Sequence, residues 1–254
     1  MTGRPYILAE CTWKMVRATT YEVAVLPWGA TEAHNLHLPY ATDTIECDAV
    51  SAAAARLAWD EGARVIVLPA IPFGVNTGQL DIRGCLNMNP STQAAVLGDI
   101  VRSLEPHGVR KVVILNGHGG NDFRQMIREL QPTTRIFLCT LNWYASVNPS
   151  AYFSVPGDHA GELETSVMLS VAPGLVLPLG EAGPGTARAF GPRALREGWA
   201  WAPRRWTQVT DDTGVGDPAA ASADKGHRFL DAVSRRIADF LVELANADPE
   251  ALYA

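Results

Sequence analysis

The sequence has no apolar run approaching 18 residues, the length at which a membrane-spanning helix becomes the natural reading, so no membrane association is expected. Positive charge is not in excess. The 21 Lys and Arg stand against 27 Asp and Glu, a formal net charge of −6, which argues against a nucleic-acid partner. From Met1 to Glu10 no basic stretch leads into an apolar one, so no secretory leader is expected. The four cysteines, Cys11, Cys47, Cys85 and Cys139, form no CxxC pair and read as reduced thiols of a cytoplasmic protein. HExxH, GxGxxG and GxxxxGK[ST] are all missing, which excludes a zincin helix and the common phosphate-cradling loops. There is no internal repeat and no low-complexity tract. What is present is 254 residues of ordinary globular composition, 47% apolar and 19% charged, enough to bury a sizeable core.

Short apolar runs alternate with helical patterns. Val23–Pro27, Arg64–Pro69, Lys111–Leu115 and Arg135–Thr140 read as buried strands. Helices are expected over Asp48–Asp60 with Asp48 as cap, and over Ser91–Leu104 with Ser91 as cap. Three more are expected over Asp122–Leu130, Glu162–Ser170 and Asp224–Leu244. Strands that are apolar throughout have both faces covered, and strand–helix alternation argues for a mainly parallel sheet. The fold class is therefore α/β, a three-layer α/β/α domain spanning residues 1–254. Residues 174–218 form a Gly-, Pro- and Trp-rich excursion, with Trp199, Trp201 and Trp206 expected to be ordered and largely buried, partly at a subunit contact.

Three polar clusters follow these patterns. Glu32, His34 and His37 come after the first strand and lead to Asp43; Asn116-Gly117-His118-Gly119-Gly120-Asn121 follows the third; His159-Ala160-Gly161-Glu162-Leu163-Glu164 opens a helix. Ligands of parallel sheets bind at strand carboxyl ends. Nitrogen and carboxylate donors without thiolates suit Zn, Mn or Fe, and a carboxylate can bridge two such ions roughly 3.5–4 Å apart. Any single histidine could equally be a hydrogen-bonded loop residue. Asn76, Thr77, Gln79, Asn121 and Trp143 are candidate substrate contacts, with turn hydrogen bonding, or core packing for Trp143, as the alternative.

Taken together, Glu32-Ala33-His34, His37-Leu38-Pro39, Thr42-Asp43-Thr44, the NGHGGN run and His159-Ala160-Gly161-Glu162-Leu163-Glu164-Thr165-Ser166 resemble the creatininase (creatinine amidohydrolase) family, as does Gly216-Asp217-Pro218 before Ala223-Asp224-Lys225-Gly226. The resemblance runs from about Val23 to Ala238. It implies a binuclear centre with Asp43 bridging two divalent ions (Zn, Mn or Fe), Glu32 and His118 completing one site, and His34 belonging to the other. It places His159 at the substrate and implies a cytoplasmic homohexamer.

Two departures matter. The creatinine-cleaving branch has a Glu where this chain has Gly120, so the second ion needs another oxygen. Glu162, three residues after His159, is expected to supply it, because on one helical turn both face one cleft. Glu164 is the competing candidate, expected to act at the catalytic residue His159 by orienting it. That branch also reads creatinine through a Trp-Asp pair where Val155 and Pro156 stand here, so creatinine is not the expected substrate. The expectation is a metal-dependent hydrolase whose metal-bound hydroxide attacks the carbonyl of a small cyclic amide, formamide or related polar substrate, with His159 shuttling a proton. The alternatives are a sugar or keto-inositol ring hydrolase or isomerase, and a non-catalytic metal-binding protein.

Overall fold

The computed structural model describes residues 3–253; Met1 and Thr2, part of the stretch examined for a leader, lie outside it. Four parallel strands form the sheet: β1 (Val23–Trp28), β2 (Val65–Val67), β3 (Lys111–Asn116) and β4 (Phe137–Asn142), in the order β2-β1-β3-β4. Val23 lies opposite Val65 and Lys111, and Lys111 opposite Phe137. The helices are α1 (Trp13–Val16), α2 (Thr42–Asp60), α3 (Pro90–Leu104), α4 (Arg124–Leu130), α5 (Glu162–Val171), α6 (Arg193–Arg196), α7 (Trp206–Val209) and α8 (Ala223–Asn246).

Alternate residues of one strand serve opposite cores, as the period of two requires. Val23, Val25, Val113 and Leu115 face α2, α5 and α8, joining Val50, Ala54, Phe229, Val233, Ile237 and Leu241. Ala24, Leu26, Val112 and Ile114 face the other way, with Leu97, Val101 and Met126 of α3 and α4. Both faces are thus covered and the chain is a three-layer α/β/α fold. On α8 the buried Phe229, Val233, Ile237 and Leu241 recur every four residues, and each stabilises the layer by about 1.5–3 kcal/mol. Ser222 caps that helix, accepting from Lys225 N at 3.3 Å.

Some boundaries differ from expectation. Helix α2 begins at Thr42, so Asp48 is interior and caps nothing. Its first turn instead carries Asp43, where the helix dipole favours a carboxylate, and Thr42 Oγ1 donates to Pro39 O at 2.7 Å. Helix α3 starts at Pro90, a residue suited to the first helical position, which moves the cap from Ser91 to Asn89.

Residues 174–218 are pinned to the strand-end face. Asn35 bonds Gly183 through both amide atoms at 3.0 and 2.8 Å, and Val215 pairs with His159. Within the single chain, Trp199 and Trp201 are not buried: 75% and 85% of their surfaces are exposed. Their rings join none of the apolar clusters of the described residues, and Trp199 Nε1 donates to Glu197 at 3.2 Å. Only Trp206 of the three is half-buried. Among the described residues no single helix is long and apolar enough to cross a membrane.

Candidate metal centre

Four segments bring six side chains to one point. The segment after β1 supplies Glu32 and His34, the first turn of α2 supplies Asp43, the turn after β3 supplies His118, and α5 with its approach supplies Glu164 and His159. The donor atoms form three overlapping groups whose members all lie within 4.8 Å: Glu32, Asp43 and His118; His34, Asp43 and Glu164; Glu32, His34 and His159. Asp43 is split between the first two. Its Oδ1 lies 2.8 Å from His34 Nε2 and its Oδ2 3.1 Å from His118 Nδ1. Glu32 Oε1 lies 2.8 Å from His118 Nδ1, 3.7 Å from His159 Nδ1 and 4.0 Å from His34 Nε2.

The far nitrogen of each ring is fixed by a main-chain carbonyl. His34 Nδ1 donates to Glu32 O at 3.1 Å, His118 Nε2 to Val75 O at 3.1 Å, and His159 Nε2 to Ala33 O at 2.8 Å. A carbonyl only accepts, so in the neutral ring the inward nitrogen is left as the free donor of a lone pair. Asn116 shapes the turn that carries His118. It accepts from His118 N and Asn121 Nδ2 and donates to His118 O and Asn142 Oδ1.

The electrostatics of the cluster suit a cation. Burial opposes charge on His34, but Asp43 and its other carboxylate neighbours outweigh that and push the ring up to about 10. The same contest, settled by Glu32 and Asp43, raises His118 well above its ordinary value. Burial resists ionisation of Asp43, yet His34 and His118 hold it below the usual carboxylate range. Two buried carboxylates, Glu32 and Asp43, with the half-buried Glu164 beside three inward nitrogens, are costly unless a cation compensates them. The donor set is all nitrogen and oxygen, which fits Zn, Mn or Fe.

The structure does not bring Glu162 to this cluster. Its carboxylate accepts from Ser154 N at 2.8 Å and Val155 N at 2.7 Å and pairs with Lys225 of α8. The one-turn argument fails because α5 starts only at Glu162. His159 precedes the helix, and Ala160 turns the chain with a left-handed φ of 50°. Glu164 takes the place beside His34 and Asp43, and also accepts from Ala160 N. Gly120 cannot carry the missing carboxylate, because a Cβ there would collide with Val75 O and the His118 ring.

The expected substrate contacts are mostly engaged in structure. Asn121 spends its amide on Val75 N, Gln93 and Asn116. Asn76 donates to Thr31 O and Leu86 O. Trp143 is fully buried against Tyr144 and Phe229, a core residue. Thr77 is exposed at the start of a single 3-10 turn (Thr77–Gln79). Gln79 is buried and donates to Glu32 Oε2, leaving Oε1 for the histidines. His37 bonds Thr165 Oγ1 at 2.9 Å, and burial lowers it to about 4, aided by His34. Two groups escaped sequence reasoning. Glu46, one helical turn after Asp43, is wholly buried with neither oxygen bonded, and burial with Glu164 and Asp43 nearby raises it well above the carboxylate range. Trp206 stands against His159, with ring centroids 4.7 Å apart at 63°.

Residues 9–241 match the profile of the creatininase family, described as creatinine amidohydrolase. The chain belongs to the creatininase family. Among curated relatives, the mycofactocin precursor peptide peptidase of Mycobacterium ulcerans is 32% identical over 240 residues, 85% of each chain. Among solved structures, a candidate creatinine amidohydrolase of Bacteroides fragilis NCTC 9343 superposes with a TM-score of 0.94 at 42% identity over 100% of both chains. A creatininase variant of Zn–Zn type superposes at 0.77 with 25% identity, covering 96% of this chain and 100% of that one. The chain is thus similar to metal-dependent amidohydrolases across the elements that build the cluster.

Proposed function

We propose that this creatininase-family hydrolase holds two divalent ions (Zn, Mn or Fe) per subunit and cleaves an amide in a small polar substrate. The single observation that carries this is the division of Asp43, one carboxylate oxygen toward His34 and the other toward His118. In this reading Glu32, Asp43 and His118 hold one ion, and His34, Asp43 and Glu164 the other. Bound there, the ions would polarise the carbonyl and acidify a water.

The remaining steps belong to the chain's own side chains. His159 presents Nδ1 toward Glu32 while Ala33 O fixes its other nitrogen, so it can pass a proton to a leaving amine without turning. Glu164, bonded to Ala160 N, also fixes the turn that carries His159. Gln79 restrains Glu32. One hydrolase domain over residues 1–254 with an excursion at 174–218, a cytoplasmic location and a homohexamer belong to the same proposal. It is supported by four free cysteines and by large apolar side chains left on the surface.

The amide class includes ring amides, formamides and peptide bonds, the last suggested by the M. ulcerans relative. Val155 and Pro156 leave no carboxylate to read creatinine, so negligible creatinine turnover is expected. The test is metal analysis of purified protein followed by hydrolysis assays over cyclic amides, formamides, short peptides, lactones and cyclic ketones. Two ions per subunit with amide turnover is the expected result. Proton exchange on a ketose without hydrolysis would favour an isomerase instead. Metal binding without turnover on any compound would leave a metal-binding protein.

A further inference from the structure

The metal-facing side chains are almost closed off: His34 is 0%, His118 6% and His159 7% exposed. A ligand that reaches His159 has to share space with the side chain packed on its ring. That side chain is Trp206, a half-buried indole that joins none of the apolar clusters of the described residues. Core packing does not account for it.

Its position is held from outside. The strap Arg204–Thr207 is tied down by Arg204 to Asp158, by Arg205 to Asp81 at 3.6 Å, and by Thr207 Oγ1 to Asp81 at 2.8 Å. Asp158 precedes His159, so the strap is fastened to the loop it covers. Glycine is required where the strap meets the Thr77–Gln79 turn. A Cβ on Gly78 would collide with Arg204 O and lie 3.2 Å from Trp206 Cδ1. Along the outer side, a groove of about 410 Å³ runs between Gly78, Leu80, Asp81 and Pro203–Arg205. Trp206 thus contacts the His159 ring and has Gly78 and the Arg204 guanidinium, 5.6 Å from its ring centre, as its other neighbours.

We infer that Trp206 is the outer wall of the substrate cavity and determines the size of the group accepted beside the reacting carbonyl. This rests on the metal-dependent reading above. Truncating the indole frees the space it fills beside the His159 ring, which admits a bulkier ligand while leaving the metal-facing atoms in place.

The test uses the protein with its metal bound and two hydroxamates, the small acetohydroxamate and the larger benzohydroxamate, with affinities measured by calorimetry. Trp206→Ala is expected to bind benzohydroxamate about tenfold more tightly and acetohydroxamate within about twofold of the parent, since pocket shape discriminates on that scale. Metal content stays unchanged, and Trp206→Phe falls between. Gly78→Ala, which keeps the indole but displaces the strap, shifts benzohydroxamate in the same direction by less. If neither affinity moves, or both move together, Trp206 does not set size and the inference fails alone. If the parent protein holds no metal and binds neither compound, the metal-dependent reading fails and takes this inference with it.

Discussion

Two regions of this molecule invert the usual rule of burial. At the strand ends, Glu32, His34, Asp43 and Glu46 are at most 1% exposed, although ionisable groups rarely leave water. In the excursion, Trp199 and Trp201 are 75% and 85% exposed. The strand-end groups tolerate burial because each has a counter-charge or a fixed donor, Glu46 excepted, and because a divalent cation would complete the set. Among the described residues the two indoles join no apolar cluster. The first region converges on a common point, whereas the second leaves its apolar surface to solvent.

The largest break comes from Asp43→Ala. It removes the one residue shared by the two ion groups, so metal analysis should show both ions lost. Losing several kcal/mol of Lewis-acid stabilisation lowers turnover by about 10³-fold or more. An Asp43→Ala protein that kept two ions would sink the bridging assignment.

A sharper contrast separates two carboxylates two residues apart. Glu164→Gln should release one ion and leave folding intact. Glu162→Gln should keep both ions but cost about 2 kcal/mol of stability, because Lys225 and two main-chain amides lose a buried anion. Metal counts and urea titrations on the pair decide it, and the reverse pattern would restore Glu162 as the ligand.

The charge on His34 makes the strand-end region respond to pH. In the metal-free chain its value is raised from 6.5 to about 10, so the folded state holds that proton more tightly than the unfolded one. The contribution is complete below about 6.5 and is lost as pH rises through about 10. Urea unfolding of the metal-free protein should therefore show falling stability from pH 6.5 toward 10. Bound metal displaces that proton, so the loaded protein loses this slope and its metal affinity rises with pH. A metal-free protein that gained stability across this range would contradict the assignment.

The parts legible in sequence were those fixed by local pattern. VAVLP and KVVIL read directly as buried strands, since both faces of the sheet are covered and every residue of β1 and β3 is buried. Glu32, His34, Asp43 and His118 stood out because each follows or caps such an element. What escaped depended on distant partners. The start of α2 was hidden because Asp43 and Glu46 put carboxylates on its buried face, erasing the amphipathic signal. The role of Glu162 depends on Lys225, 63 residues away, and no short-range spacing reveals that pairing. Trp206 reaches His159 only because the excursion folds back through Asp81 and Asp158.

The smallest expected effect within one chain concerns the exposed tryptophans. Trp199 and Trp201 each keep most of their surface in water, so replacing both with Ser removes little packing. Unfolding of the isolated chain at low concentration should change by no more than about 0.5 kcal/mol per site. If the rings lie at a subunit contact of the proposed homohexamer, the same double substitution should shift the light-scattering mass to a smaller species at micromolar concentration. Large apolar side chains gathered on a surface are what such contacts consume. Trp206→Ala supplies the control, because it alters the cavity beside His159 rather than this outer patch. A double variant that lost substantial stability as a monomer would show that the tryptophans pack on their own chain. One that kept the parent's assembly state would remove them from the contact.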